Sequence, residues 1–175
     1  MRNSHTRQPK SASRRSVVLV TGMSGTGKSS ALAVLARNGH QTIDTDEPGW
    51  IIQSQTPDGP EPLWDLGRVG ALLDRHRAGW LFIAGCAANQ RALYHRFDAV
   101  VLLSAPIGVL LERVTDRRNR FGSTCEDRAK IASDLAAYEP LLRASADYEI
   151  VTTAPLAVVV STLEQAARTG RRANQ

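Results

Sequence analysis

The stretch Gly22-Met23-Ser24-Gly25-Thr26-Gly27-Lys28-Ser29 decides how this chain is read. It satisfies the phosphate-loop pattern G-x-x-x-x-G-K-[ST] at every fixed position. With glycine at about 7% of average usage, a chance match in a chain of this size is roughly a one-in-a-hundred event. Glycines let backbone N–H groups close around phosphate oxygens. Lys28 supplies a point charge for the β- and γ-phosphates, and the Ser29 hydroxyl suits Mg²⁺. Met23, Ser24, Thr26 and Ser30 complete the predicted nucleotide contacts, and a following helix adds its positive N-terminal end.

Both flanks fit the motif. Val17-Val18-Leu19-Val20 is a short apolar, mostly β-branched run that reads as a buried parallel strand. Ser29 to Arg37 reads as a helix, with Asn38-Gly39 as its C-cap. Further along, strands are predicted at 41–44, 80–84, 99–103 and 149–152. Helices are predicted at 66–78, 106–117, 126–137 and 156–168. Residues 88–96 read as short helix or irregular chain. Residues 47–63, rich in Pro, Gly, Gln and Asp, read as a long functional loop. Strands alternating with helices imply βαβ units: a three-layer α/β/α P-loop NTPase fold with a five-stranded parallel sheet and a small lid. Right-handed crossovers gather the turns after the strands along one edge, where ligands of open α/β sheets bind.

Composition narrows the class. A chain of 175 residues, 42% hydrophobic and 22% charged, suits one globular domain. No run reaches spanning length, so no membrane partner is expected. Cys86 and Cys125 form no framework, which suits a reducing cytoplasm. The net charge is +5, and Arg2, Lys10, Arg14 and their neighbours in residues 1–16 supply all of it. With the body near neutral, specific nucleic-acid binding is not expected. The expected organisation is a disordered basic tail at 1–16, a kinase-like domain at 17–169 and a disordered end at 170–175.

Other groups converge on the same edge. Asp44 and Asp46, two residues apart at a strand end, would face one side of an extended segment. One of the two could hold a metal-bound water and the other could orient or deprotonate an acceptor hydroxyl. Gly85, Cys86 and Arg91 fall where an acceptor would lie. Arg113, Arg117, Arg118 and Arg120 could act from a mobile lid at about 117–125. Arg120 is the candidate for neutralising transferred charge, and Arg113 for stacking on adenine. His40, His76 and His95 have no metal-ligand spacing and read as surface residues.

The order of motifs over residues 17–165 resembles the small-molecule kinases of the nucleoside-monophosphate-kinase fold, notably shikimate kinase and gluconate kinase. Thr42-Ile43-Asp44-Thr45-Asp46 resembles a strand ending in D-x-D, and Pro140 to Asp147 a P-L-Y…A-D segment. The resemblance implies ATP and Mg²⁺ as cofactors, Lys28, Asp46 and Arg120 as catalytic groups, and a small hydroxylated acceptor. Where shikimate kinase clamps a carboxylate with arginines, Tyr138 and a position near Asp65 stand here. Acidic residues in the loop favour a neutral polyol or a cationic acceptor. A nucleoside or nucleotide kinase using Arg68, Arg91 and Arg96, or an ATP-binding regulatory module, are the alternatives. A monomer or homodimer is expected.

Overall fold

Strand β1 (Ser16–Thr21) holds the centre of the molecule because every one of its six residues is buried. In the computed structural model, which describes residues 14–56, 59–115 and 125–170, β1 lies between two parallel neighbours. The remaining strands are β2 (Gln41–Asp44), β3 (Ile51–Thr56), β4 (Gly59–Trp64), β5 (Trp80–Ala84), β6 (Ala99–Ser104) and β7 (Tyr148–Val151). The parallel sheet runs β2-β5-β1-β6-β7. Alternation along β1 divides the core. Val18 and Val20 face one layer with α1 (Lys28–Arg37) and α5 (Leu156–Thr169). Val17 and Leu19 face the other, with α2 (Leu66–Arg75), Trp64 and the 3-10 segment Gln90–Arg96. A strand buried on both faces must read as a continuous apolar run, and this one does. Helices α3 (Ile107–Thr115) and α4 (Cys125–Ser145) complete the described fold. The three-layer α/β/α architecture and its five-stranded sheet are therefore as the sequence implied.

Several expectations need correction. The predicted loop at 47–63 contains an antiparallel hairpin, β3 against β4. Pro60 and Pro62 argue against a strand, since neither can donate to a ladder. The register removes the conflict: Pro60, Pro62 and Trp64 share one parity, opposite Gln55, Gln53 and Ile51. The amide of Asp65, of the other parity, donates to Trp50 O at 2.8 Å. The prolines therefore stand where the missing N–H would point away from β3.

Helix α4 runs past the expected stop at Ala137 and through Pro140 to Ser145. Pro140 forfeits one helical hydrogen bond, but the turn beyond it is tied down. Leu142 is buried, and Arg143 bridges Glu139 (2.7 Å) and Glu149 (2.8 Å). Helix α2 stops at Arg75, short of Ala78, because His76 is an extended, buried cap rather than a surface residue. Its ring lies between Gln41 Oε1 (3.1 Å) and Gly79 O (3.0 Å). His40 is half-buried, stacked on Trp80 at 4.9 Å; His95 is exposed as expected. At the N-terminal side, Arg15 already donates to His76 O, and Ser16 already belongs to β1. The expected tail at 1–13 and end at 171–175 lie outside the described residues.

Candidate active site

The phosphate loop joins β1 to α1 at the edge where β2, β5 and β6 also end. Gly27 caps α1 in the left-handed region at φ 91°, and a Cβ there would meet nothing within 4 Å. The first turn of α1 therefore opens onto a space suited to an anion. Thr26 stabilises the loop from inside, its Oγ1 donating to Met23 O at 2.8 Å. Lys28 is buried, and its Nζ donates to Gly22 O (2.7 Å) and Met23 O (3.3 Å). Those carbonyls aim the ammonium along the loop.

Two carboxylates meet the loop. Ser29 Oγ donates to Asp44 Oδ2 at 2.8 Å. Asp46 Oδ2 lies 4.0 Å from Lys28 Nζ. The sequence anticipated that both would reach one side, but for a different reason. β2 ends at Asp44, and Asp46 lies in the following turn, its amide donating to Asp44 Oδ1 at 3.1 Å. Sharing a turn, rather than strand alternation, brings them together. Ser29 Oγ and Asp44 are the hard oxygen donors that Mg²⁺ accepts while keeping several waters. Among the described residues no cluster of three or more His, Cys, Asp or Glu that could hold a metal is found, here or elsewhere.

Thr45, between the two aspartates, is fully buried. Its hydroxyl donates to Ala84 O at 2.8 Å and accepts from Trp64 Nε1 at 3.0 Å. Thr45 thus ties the acidic turn both to the end of β5 and to the hairpin. Gly85 is required here: a Cβ would overlap Thr45 Oγ1. Asn89 holds the hairpin from outside. Its carboxamide accepts from Trp64 N and donates to Trp64 O, both at 2.9 Å, where the β4 backbone turns away from β3. Gln90, also buried, donates to Tyr94 OH at 2.8 Å and contacts Thr21 at the end of β1. Sequence reasoning gave Thr45 no role. The alternation Asp-Thr-Asp at the end of a short strand was the available signal.

Two cavities flank the loop. One, of about 710 Å³, is bounded by Met23, Cys86, Arg91, Tyr94, Tyr138 and Leu141, among others. Cys86 and Arg91 line it, and Tyr138 does too. Asp65 does not. Its carboxylate caps α2 by accepting from Arg68 N at 2.9 Å, so it sets no repulsion against an acceptor. Cys86 is exposed to the cavity. The crowding of protein around it raises its thiol pKa against the opposing pull of Lys28, so it stays protonated at neutral pH. Of the arginines considered for gripping a phosphate acceptor, only Arg91 borders the cavity. Arg68 lies over Trp50 at 5.1 Å and Arg96 pairs with Asp74 at 2.6 Å.

The second cavity, about 380 Å³, is bounded by Gly25, Gly27, Ser30, Arg113, Thr152 and Leu156, among others. Arg113 is fixed by donating to Thr152 O at 2.6 Å and Thr152 Oγ1 at 2.9 Å. Thr152 was not anticipated as its partner, which lies 39 residues away in sequence. Arg117, Arg118 and Arg120, with most of the expected lid, lie outside the described residues. No described helix is long and apolar enough to cross a membrane.

Comparison with known proteins agrees with this architecture. A family model described as an AAA domain matches residues 18–130. The fold is similar to shikimate kinase from Acinetobacter baumannii, with TM-score 0.57 and 19% identity over 86% of this chain and 89% of that one. It is similar to shikimate kinase from Bacteroides thetaiotaomicron, with TM-score 0.57 and 15% identity over 87% and 98%. A gluconokinase from Sinorhizobium meliloti 1021 matches with TM-score 0.51 and 20% identity over 87% and 94%. No curated protein matches the chain. With the family model covering residues 18–130 of the 175, the chain belongs to the AAA-domain family, on the P-loop fold of the small-molecule kinases.

Proposed function

We propose that this protein is an ATP-dependent phosphotransferase that moves the γ-phosphoryl group of ATP to a hydroxyl of a small molecule. One observation carries the reading. The pairs Ser29–Asp44 (2.8 Å) and Lys28–Asp46 (4.0 Å) stand on the phosphate loop, and a cavity of about 710 Å³ reaches the same loop at Met23. A donor site and an acceptor site therefore share one boundary.

In this mechanism the loop amides and Lys28 hold the β- and γ-phosphates, and Ser29 with Asp44 would hold Mg²⁺. The ion, when bound, supplies charge neutralisation on the phosphates. Asp46 accepts the proton of the acceptor hydroxyl as the acceptor oxygen bonds to the γ-phosphorus. The bond to the bridging β–γ oxygen breaks, and ADP leaves with that electron pair. Arg113 covers the adenine cavity, and Arg120, outside the described residues, is the group proposed to neutralise the phosphoryl in flight. Cys86 and Arg91 border the acceptor, and Gly85 makes room for Thr45 beside them. Phosphoryl transfer demands little covalent chemistry from the protein, so position and charge carry most of the rate.

Lys28→Ala tests the assignment. Its removal costs turnover by about 10²–10³-fold, the scale set by losing one preorganised charged donor, with the circular-dichroism spectrum unchanged. Transfer near the wild-type rate would overturn the reading.

A further inference from the structure

We infer that the acceptor is an amphiphilic alcohol with an apolar, ring-sized body, not a free polyol. This rests on the phosphotransferase reading and narrows its acceptor.

Size is the first observation. The acceptor-side cavity encloses about 710 Å³, within the range of about 300–1,000 Å³ that encloses drug-sized ligands. A small polyol would leave most of it to water. Its lining is the second. Met23, Tyr94, Tyr138, Leu141 and Leu142 supply thioether, aromatic and aliphatic surface. A polyol needs a fence of hydrogen-bonding groups, and the polar side chains here are largely engaged. Gln90 serves Tyr94, Thr21 and the Ala87 amide. Lys130 pairs with Asp134 at 3.3 Å. Glu61 and Arg91 remain as charges of opposite sign on the wall, so the cavity's formal charge balances and a neutral body suits it.

Exposure is the third. Leu141 is 66% exposed and Tyr138 51%, and both stand on the wall of this half-open cavity. They lie three residues apart on α4, on neighbouring positions of one helix face. Large apolar side chains exposed along a cavity are offset when a ligand's apolar surface removes them from water. The hydroxyl end of such a ligand would meet Asp46. Cys86 connects the two regions: it borders the cavity, and its thiol feels both Lys28 and Asp46.

The test pairs binding with turnover on the full-length chain. Aryl diols and aryl amino-alcohols are compared with glycerol, sorbitol and shikimate. Binding is followed by saturation-transfer NMR, and turnover by acceptor-dependent ADP release. Leu141→Ser and Ile52→Ser are run beside the wild type. Both replace exposed apolar residues, and Ile52 lies off the cavity wall. The aryl alcohols are expected to bind and to stimulate ADP release. Leu141→Ser should raise their KM about tenfold with the KM for ATP and the melting temperature unchanged, while Ile52→Ser changes neither KM. Turnover of polyols without binding of aryl alcohols would overturn the inference and leave the phosphotransferase reading standing. So would a KM unaltered in Leu141→Ser. Leu141-dependent binding of aryl alcohols with no ADP release from any acceptor would uphold the cavity's preference and overturn the phosphotransferase reading instead.

Discussion

Replacing Thr45 by valine deletes one hydroxyl and keeps the shape of the side chain. In the structure that hydroxyl does two things: it donates to Ala84 O at 2.8 Å and accepts from Trp64 Nε1 at 3.0 Å. Ala84 O keeps the Thr45 amide as a donor at 2.8 Å, so it loses little. The cost concentrates on Trp64, which is 1% exposed and whose Nε1 loses the one acceptor the structure gives it. A buried donor left unpaired costs about 1–3 kcal/mol. We expect about 2 kcal/mol, read as a fall of roughly 4–8 °C in melting temperature for a domain of this size. Urea unfolding followed by tryptophan fluorescence measures it. The same change frees the segment between Asp44 and Asp46, so kcat should fall about tenfold, as small misplacements of reacting groups do. Trp64→Phe removes the donor itself. In that background Thr45→Val should cost about 1–2 kcal/mol less than it does alone. A cost below about 0.5 kcal/mol, or strict additivity of the two changes, would refute the idea that this hydrogen bond couples the hairpin to the acidic turn.

Two further outcomes follow from individual contacts. Arg113→Ala removes the anchor on Thr152 and one wall of the 380 Å³ cavity. The KM for ATP should rise about tenfold with the acceptor KM unchanged, and Arg113→Lys should not restore it, because an ammonium lacks the flat, forked guanidinium. An ATP KM untouched by either change would remove Arg113 from the nucleotide site. Glu149 concerns pH: Arg143 and then the Ser104 hydroxyl hold its carboxyl at about 2, below the ordinary 4.5. A carboxyl lowered on folding contributes stability above its unfolded value and loses it as pH falls from about 4.5 through about 2. Partial exposure of both partners keeps the contribution small. Glu149→Gln should therefore melt about 1–2 °C lower near neutral pH, and scanning calorimetry across pH should show the gap closing under acid. A gap constant with pH would rule out this origin.

The phosphate loop, the alternation of strands and helices, and the central apolar strand were legible because each depends on neighbours within a few residues. Glycine spacing and buried-strand composition are local demands. So is the Asn38-Gly39 cap, where the Asn38 amide donates to Val34 O at 2.9 Å. The candidate residues Lys28, Ser29, Asp44 and Asp46 were found for the same reason. The tertiary structure decided the rest. Pro60 and Pro62 fit a hairpin only because the register turns their missing N–H groups outward, and a register exists only between two strands. Asp65 looked like an acceptor-facing charge until its helix formed and claimed it as a cap. Pro140 reads as a helix end, yet burial of Leu142 and the reach of Arg143 to Glu149 carry α4 past it. Thr45 and Trp64 gained their roles from partners 19 and 39 residues distant. By itself the sequence determined the phosphate-loop pattern and the strand and helix that flank it. Folding alone decided what lines the 710 Å³ cavity, because its walls are side chains from segments far apart in the chain.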